Sequence, residues 1–300
     1  MNEHSHLKNL INLGFLVDDR MTEKIENLNE EEFFNLIEGL KKENIFIVNE
    51  NVLKTIVSDE VKVLSSAKRM ESFNIQDFVR NLNERYAFLQ NILMKKLELS
   101  NIVSINKCSE GAVSIIGMVK EKEEKGDKFI VVLEDPTGEV QVSIQKKLGE
   151  KISLDDVIAV SGEVNNRVLN ADKIIFPDVP LKPVVFSNDS IRVAFTDKDV
   201  KADYIVCNNK IKDMIKKKEI EIKNPSIFKI DNVIFLMLIG FDSLDVLKKR
   251  YVNIDNTDFL IEPSPDVVFT DKGINTNYKG ISIVSKDKII DLKTRETQSI

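Results

Sequence analysis

Cysteine and histidine are both scarce in this chain, and each scarcity restricts its chemistry. The 300 residues include only Cys108 and Cys207, in different predicted domains, so we expect a cytoplasmic protein without a disulfide framework. The two histidines, His4 and His6, lie in the first six residues, so no later segment can supply an imidazole. The longest apolar run, residues 233–241, is too short to cross a bilayer, and the first residues do not resemble a signal peptide. We therefore expect no membrane partner.

Proline and glycine are nearly absent from the first hundred residues. No proline precedes Pro136, and only two glycines precede Gly111. Without helix breakers, and with apolar residues spaced three and four apart, this region predicts helices. We expect a small acidic helical domain over residues 1–60. Its expected helices cover residues 7–13, residues 51–57 and a segment capped by Asn29 with Phe33, Phe34, Ile37 and Leu40 on its inner face.

Residues 61–107 predict a linker followed by a long amphipathic helix. The polar stretch from Ser65 to Ser72 is typical of a linker, and Asn74 with Asp77 is typical of a helix start. Apolar residues then repeat three and four apart as far as Leu97. Base rates favour packing of this stripe on the domain that follows. A binding groove for another protein is the alternative.

Residues 108–182 predict an OB-fold β-barrel, because five short β-patterned runs alternate with turn sequences. The runs cover residues 113–120, 128–133, 139–144, 157–162 and 168–176, and residues 145–151 fit a short helix between the third and fourth. OB-folds commonly bind single strands through basic grooves and stacking aromatics. Residues 111–180, however, hold 9 basic and 13 acidic side chains, and their aromatics are Phe129 and Phe176. A barrel that packs on its neighbours is therefore favoured over a single-strand binder.

Residues 183–300 predict an α/β domain. The expected strands cover residues 191–196, 204–207, 233–239, 267–270, 281–284 and 289–292, and the expected helices cover residues 210–218 and 243–251. Lysines cluster on the first of these helices. A solvated face is the common meaning of such a cluster, and contact with DNA phosphates is the alternative, with Lys212, Lys216 and Lys217 as candidates.

Charge is unevenly distributed along the chain. The net charge is −6, and residues 1–60 hold 13 acidic and 6 basic side chains, which leaves +1 for the rest. A protein that binds nucleic acid alone usually has a strongly basic surface. The charge balance therefore favours a protein partner.

Several segments closely resemble the small subunit of the archaeal D-family DNA polymerase. They are residues 85–93, 113–119, 156–162, 171–180, 265–270, 277–281 and 290–294, and their order and spacing make the resemblance specific. The resemblance covers about the last three quarters of the chain. It implies a multidomain α+β protein with an N-terminal helical domain, an OB-fold barrel and, over residues 183–300, a sandwich like that of calcineurin-type metallophosphoesterases. In that family the small subunit is a 3′–5′ exonuclease that uses two metal ions.

The chain departs from the family at every metal-binding motif. The resemblance places these vestigial positions at Asp197 and Asp199 for Asp-x-His, Asn208 and Asn209 for Gly-Asp, Ile239 for His-Gly, and Lys272 and Ile274 for Gly-His-x-His. Two adjacent metal ions need converging imidazoles and carboxylates, and lysines beside these positions would repel a cation. We therefore expect a reduced, degenerate sandwich with no catalytic residue, no metal and no cofactor. One Mg²⁺ held by Asp197 and Asp199 is the alternative.

The sequence thus predicts a non-catalytic accessory subunit that holds the large catalytic subunit of a D-family polymerase and meets DNA through the complex. The expected contact surrounds the junction formed by Phe176, Pro177, Asp178, Val179 and Pro180. The acidic domain over residues 1–60 should be dispensable for that contact, because the linker at Ser65 separates the two. Two alternatives remain: an active exonuclease with an atypical metal site, and a stand-alone single-stranded DNA-binding protein.

Overall fold

The computed structural model describes residues 5–28, 30–42, 44–50, 52–53, 61–67, 74–254, 257–273 and 275–300. Along these residues the chain forms a small N-terminal unit, a long helix, a closed barrel and two six-stranded mixed sheets. Helices are few after the long one.

The described residues of the N-terminal unit include three α-helices and a two-stranded sheet. Its elements are α1 (Ser5–Asn12), β1 (Leu16–Val17), α2 (Thr22–Glu26), α3 (Glu30–Lys42) and β2 (Ile47–Val48). Their core includes Leu10, Phe33, Leu36, Leu40 and Val48. The structure corrects the expected inner face of α3, because Phe34 is exposed. The predicted cap at Asn29 and most of the helix predicted over residues 51–57 lie outside the described residues.

The linker predicted around Ser65 is wrong, because this segment is a strand. β3 (Lys62–Ser66) pairs antiparallel with β13 (Ser226–Ile230), 160 residues later in the chain, and the pairing includes one bulge. The residues on either side of β3, Val61 and Ala67, are both buried. Residues 61–67 therefore form part of the C-terminal sheets.

The long helix α4 (Ile75–Met94) begins as the sequence predicts. The Asn74 side chain caps it by accepting a hydrogen bond from the backbone N–H of Gln76 at 2.9 Å. Tyr86, Leu89 and Leu93, three members of the predicted apolar stripe, pack on the outside of the barrel. The expectation that this stripe packs on the neighbouring domain is confirmed. Leu97 lies beyond the end of the helix.

Five strands close into the barrel expected of an OB-fold. They are β4 (Gly111–Lys125), β5 (Lys128–Asp135), β6 (Gly138–Gln145), β7 (Val157–Asn165) and β8 (Val168–Ile175), paired in the order β4-β5-β6-β8-β7, with β7 also paired to β4. The short helix α5 (Lys146–Gly149) lies between the third and fourth strands, as predicted. Gly162 is required where β7 bulges against β8, because a Cβ there would lie 1.9 Å from the carbonyl oxygen of Asn170.

Two mixed six-stranded sheets follow the barrel. One contains β9 (Arg192–Phe195), β10 (Tyr204–Val206), β11 (Lys210–Asp213), β12 (Lys218–Glu221), β20 (Lys288–Asp291) and β21 (Thr297–Ser299), in the order β12-β11-β10-β9-β20-β21. The other contains β14 (Val233–Leu238), β17 (Val267–Thr270), β18 (Thr276–Tyr278) and β19 (Ile281–Ser285), in the order β18-β19-β17-β14-β13-β3. A separate hairpin pairs β15 (Tyr251–Ile254) with β16 (Thr257–Leu260).

The two sheets face each other across one aromatic core. Phe195 of the first sheet stacks on Phe269 of the second with ring centroids 5.0 Å apart, and Phe228 and Phe235 continue the stack. The helix predicted over residues 243–251 is present as α6 (Ser243–Lys249), which Asp242 caps. The helix predicted over residues 210–218 is wrong: this segment forms β11, a turn and the start of β12.

Buried ion pairs join α4 and the barrel to the segment formed by α6 and the β15–β16 hairpin. Arg85 of α4 donates to Asp258 of β16 at 2.8 Å, and both side chains are almost fully buried. Asp156, just before β7, accepts from Lys249 at 3.2 Å and from the Tyr251 hydroxyl at 3.1 Å. Burial raises the pKa of Asp156, and the contacts with Lys249 offset this rise only in part.

Candidate functional site at the carboxyl ends of the parallel strands

The loops that the sequence assigns to a former metal site meet at one edge of the two sheets. Strand β9 is parallel to β10, and β14, β17 and β19 are parallel to one another, so the carboxyl ends of each set lie together. The backbone N–H of Asp287, after β19, donates to the carbonyl of Phe195 at the end of β9 at 2.8 Å. Ligand sites in α/β proteins lie at such edges.

The carboxylate of Asp197 is paired with an ammonium group. Asp197 accepts a hydrogen bond from the Nζ of Lys286, a residue that the sequence analysis did not single out. This hydrogen bond is the main reason that the pKa of Lys286 is raised, with further contributions from Asp287 and Asp271. A positive charge therefore lies beside the carboxylate that would be the first metal ligand.

A second carboxylate at this edge, Asp287, is also paired. It accepts from the Thr196 hydroxyl at 2.6 Å, and its other oxygen lies 3.3 Å from the Nζ of Lys198. The hydrogen bond from Thr196 is the main cause that lowers the pKa of Asp287. Asp197 and Asp287 thus each have their own lysine.

The loops after β14 and β17 are held together by direct hydrogen bonds. The Nζ of Lys272 donates to the carbonyl of Gly240 at 2.7 Å, and the N–H of Gly240 donates to Asp271 Oδ1 at 2.7 Å. Ile239 exchanges two 2.8 Å hydrogen bonds with the side chain of Asn224. These contacts place backbone, amide and ammonium groups at the positions that the resemblance assigned to metal-binding imidazoles.

The other positions that the resemblance assigned to the metal site do not take part in these hydrogen bonds. Asp199, Asn208 and Asn209 are exposed on the loops after β9 and β10. Ile274 lies outside the described residues. Across the described part of the chain, no group of three or more His, Cys, Asp or Glu side chains is close enough to hold a metal ion. The arrangement is suited to charge pairing and to holding loops together.

Lys286 and Asp287 are the residues of this edge that the sequence reasoning missed. They occupy the turn directly after β19, which the sequence does predict as a strand over residues 281–284. A polar pair after a buried strand is the signal that would have indicated them. Asp197 follows β9, about ninety residues earlier in the chain, so only the fold brings Lys286 to Asp197.

The barrel has a cleft but offers no free stacking aromatic among its two candidates. The cleft, of about 640 Å³, lies between β6, the turn from β7 to β8 and the segment before β4; its charged lining residues are Glu110, Glu139 and Arg167. Phe129 is buried under Lys122, whose Nζ lies 4.1 Å from the ring centroid. Phe176 packs against the barrel core.

The candidate phosphate-binding lysines lie on a hairpin rather than a helix. Lys212 is in β11 directly opposite Glu219 of β12, and Glu219 also accepts hydrogen bonds from Lys210 at 3.0 and 2.8 Å. Lys216 and Lys217 lie in the turn that joins the two strands. Acidic side chains therefore lie among the lysines of this cluster.

The junction after the barrel is largely enclosed by the chain itself. Val179 is fully buried and Pro177 is buried, while Phe176 and Asp178 are half-buried. Asp178 accepts from the Tyr278 hydroxyl at 2.9 Å and from Lys279 Nζ at 2.6 Å. Of the five predicted interface residues, Pro180 is the exposed one.

The fold defines this chain as an OB-fold protein whose barrel is joined to two mixed sheets. Residues 113–179 match the family model described as an OB-fold nucleic acid binding domain. The chain is similar to the DNA polymerase II small subunit of Archaeoglobus fulgidus, with 29% identity over 57% of the chain, and to that of Methanothermobacter thermautotrophicus, with 35% identity over 39% of the chain. This confirms the resemblance to D-family small subunits.

The chain spans only part of these relatives: the matches cover 35% and 26% of the two relatives' own length. Among solved structures, asparaginyl-tRNA synthetase from Pyrococcus horikoshii shares 18% identity over 22% of this chain and 19% of that one, with a TM-score of 0.20. None of the described helices is both long and apolar enough to span a membrane.

Proposed function

We propose that this protein is a non-catalytic accessory subunit of a D-family type DNA polymerase, and that its role is to hold the large catalytic subunit. The similarity to DNA polymerase II small subunits supports the assignment to such a complex. The sheets of residues 183–300 are, in this proposal, a reduced form of the phosphoesterase sandwich. DNA would be reached through the complex.

The pairing of Asp197 with Lys286 is the observation that carries the non-catalytic part of the proposal. A two-metal site needs several anionic or imidazole ligands that converge on the ions. Here Asp197 and Asp287 face lysines instead, and no histidine follows His6. An ammonium group repels the cation whose position it takes. These loops would then preserve the shape of the edge without its hydrolytic chemistry.

The exposed part of the barrel–sheet junction is the proposed contact with the large subunit. Pro180 and the next residue, Leu181, emerge from the enclosed segment, and Leu181 is 82% exposed. Leu97, the fully exposed residue after α4, follows Lys96, whose Nζ lies 3.4 Å from the carbonyl oxygen of Asp178. Two exposed leucines thus flank a junction that the half-buried ion pair of Asp178 and Lys279 holds in place. This geometry suits a preformed interface.

Co-purification with the large subunit from the same genome tests the proposal. We expect a stable complex at moderate salt, with an interface near the ~1,600 Å² of standard-size complexes. Leu97→Asp combined with Leu181→Asp should remove most of it. Ile75→Asp is the matched control, because Ile75 is also largely exposed, at 70%, but lies at the opposite end of α4. Failure of the unaltered chain to co-purify would refute the accessory role, whereas an intact complex with the double variant would refute only this surface.

Nuclease and DNA-binding assays separate the two alternatives from the proposal. The purified chain with Mn²⁺ or Mg²⁺ should leave a 3′-ended DNA strand and bis-p-nitrophenyl phosphate intact. Hydrolysis that disappears in the Asp197→Ala, Asp199→Ala double variant would establish the exonuclease alternative. Binding to a short single strand should stay near the non-specific range of about 10⁻⁴–10⁻⁶ M at physiological salt. Nanomolar binding would establish the single-strand binder.

A further inference from the structure

The N-terminal unit carries an apolar surface that the proposed function does not use. Its two strands, β1 and β2, are parallel, with Leu16 directly opposite Ile47 and Val17 opposite Val48. Val48 is fully buried and Val17 packs on the same core, so this pair faces inward. Leu16 and Ile47 face outward and are 65% and 55% exposed. Directly paired residues on one face of a sheet touch each other, so these two form one continuous patch.

Phe46, directly before β2, is a separate exposed apolar residue. Its carbonyl accepts a hydrogen bond from the N–H of Leu16 at 2.8 Å, which fixes it beside β1, and its side chain is 66% exposed. Side chains alternate along a strand, so Phe46 lies on the side of Val48 rather than of Ile47. We define the outer surface as Leu16 and Ile47.

A parallel sheet with one bare apolar face is unusual. Parallel strands are found almost only where both faces are covered, commonly by helices. The inner face of this sheet is covered by the unit's own core, whose buried side chains all lie between Leu10 and Leu53. The outer surface therefore has the form of a site that a helix from elsewhere can cover.

The net charge of the N-terminal unit indicates which kind of molecule could cover the outer surface. Residues 1–60 hold 13 acidic and 6 basic side chains. An acidic unit repels DNA phosphates and also repels a second copy of itself. It attracts a cationic partner and orients its approach.

We propose that the outer surface is a docking site for a basic amphipathic helix of another protein. The helix would place apolar residues, spaced three and four apart, on Leu16 and Ile47, and its lysines or arginines on the surrounding acidic unit. This binding site is separate from the barrel–sheet junction, so it is independent of contact with the large subunit.

A labelled leucine–lysine peptide of about 18 residues, with leucines on one helical face, is a suitable probe. Its fluorescence anisotropy is measured with the full chain, with the Leu16→Thr, Ile47→Thr double variant and with Leu154→Thr. Threonine keeps strand propensity and adds no charge. Leu154 is exposed to a similar degree on a loop of the barrel, so it is the matched control. A peptide of the same composition without a helical face controls for charge alone.

The full chain and the control variant should bind the helical peptide, with helix formation visible by circular dichroism. The double variant should bind it about tenfold more weakly. Equal binding by the double variant, or equal binding of the peptide without a helical face, would overturn the proposal. Two other results would also overturn the proposal: a dimer of the full chain in sedimentation velocity, or binding of duplex DNA by the full chain, if the double variant abolishes it. Either result would identify a different occupant of the outer surface.

Discussion

The buried pair of Arg85 and Asp258 makes a quantitative prediction about how α4 is held to the rest of the protein. The Arg85 guanidinium is 1% exposed, lies 2.8 Å from Asp258 and sits 4.6 Å from the centroid of the Tyr251 ring. Asp258 is 5% exposed, and its second hydrogen bond comes from Asn253 at 2.9 Å. Replacing Arg85 with methionine fills a similar space but leaves the carboxylate without its cation.

Removing one partner of a buried ion pair costs about 3–5 kcal/mol, because the remaining charge stays buried. We expect that loss for Arg85→Met and a similar one for Asp258→Leu. For a unit of 150–250 residues, about 1 kcal/mol changes the melting temperature by about 2–4 °C, so each single variant should melt about 6–20 °C lower. The double variant should be far less affected than the sum, since apolar replacement of both partners is often neutral.

Urea and thermal unfolding followed by circular dichroism give the four free energies of this double-mutant cycle. The unaltered chain and the two single variants define the sum against which the double variant is compared. Single losses below about 1 kcal/mol, or losses that simply add in the double variant, would show that the pair does not clamp α4 to the β15–β16 hairpin.

Two further predictions concern β3 and Asp156. A chain beginning at Val61 should keep the melting temperature of the barrel–sheet unit. A chain beginning at Asn74 should lose at least about 4 kcal/mol of its free energy of unfolding, because the burial of Val61 and the hydrogen bonds of β3 are removed. Equal melting of these two chains would refute the pairing of β3 with β13. Burial raises the pKa of Asp156 above its value in the unfolded chain. The folded protein therefore binds the carboxyl proton of Asp156 more tightly than the unfolded chain does. As the pH rises from the unfolded pKa through the folded pKa, the contribution of Asp156 to stability falls. We therefore expect the free energy of unfolding of the unaltered chain, relative to that of Asp156→Asn, to increase as pH falls from 7 towards 4. Urea unfolding at several pH values measures it. A difference that is constant with pH would contradict the raised pKa of Asp156.

Local pattern was sufficient for the barrel and for several strands of the two sheets. All five barrel strands have the clear turn sequences and apolar runs from which they were predicted. Four of them are longer in the structure, and β8 ends one residue earlier than predicted. The Asn74 cap was predictable because capping depends on residues adjacent in sequence. The absence of imidazoles after His6 was readable directly, because it depends on composition alone.

Two errors show where local pattern was insufficient. The segment 210–218 is rich in lysine, which favours helix, but pairing with β10 makes it a strand in which Ile211 and Asp213 are buried while Lys210 and Lys212 remain half-exposed. In β3 the bulge leaves Val63 and Leu64 both exposed, so the segment lacks the alternation that identifies a strand.

The sequence by itself determined the barrel, the helix that packs on it and the absence of metal-binding histidines, because each depends on residues that are close in sequence or on composition. Tertiary structure alone decided that Lys286 faces Asp197, that β3 joins a sheet formed more than 150 residues later, and that the segment after the barrel is enclosed. These contacts join residues far apart in the chain. Their partners are chosen by strand order and packing, which no local pattern encodes.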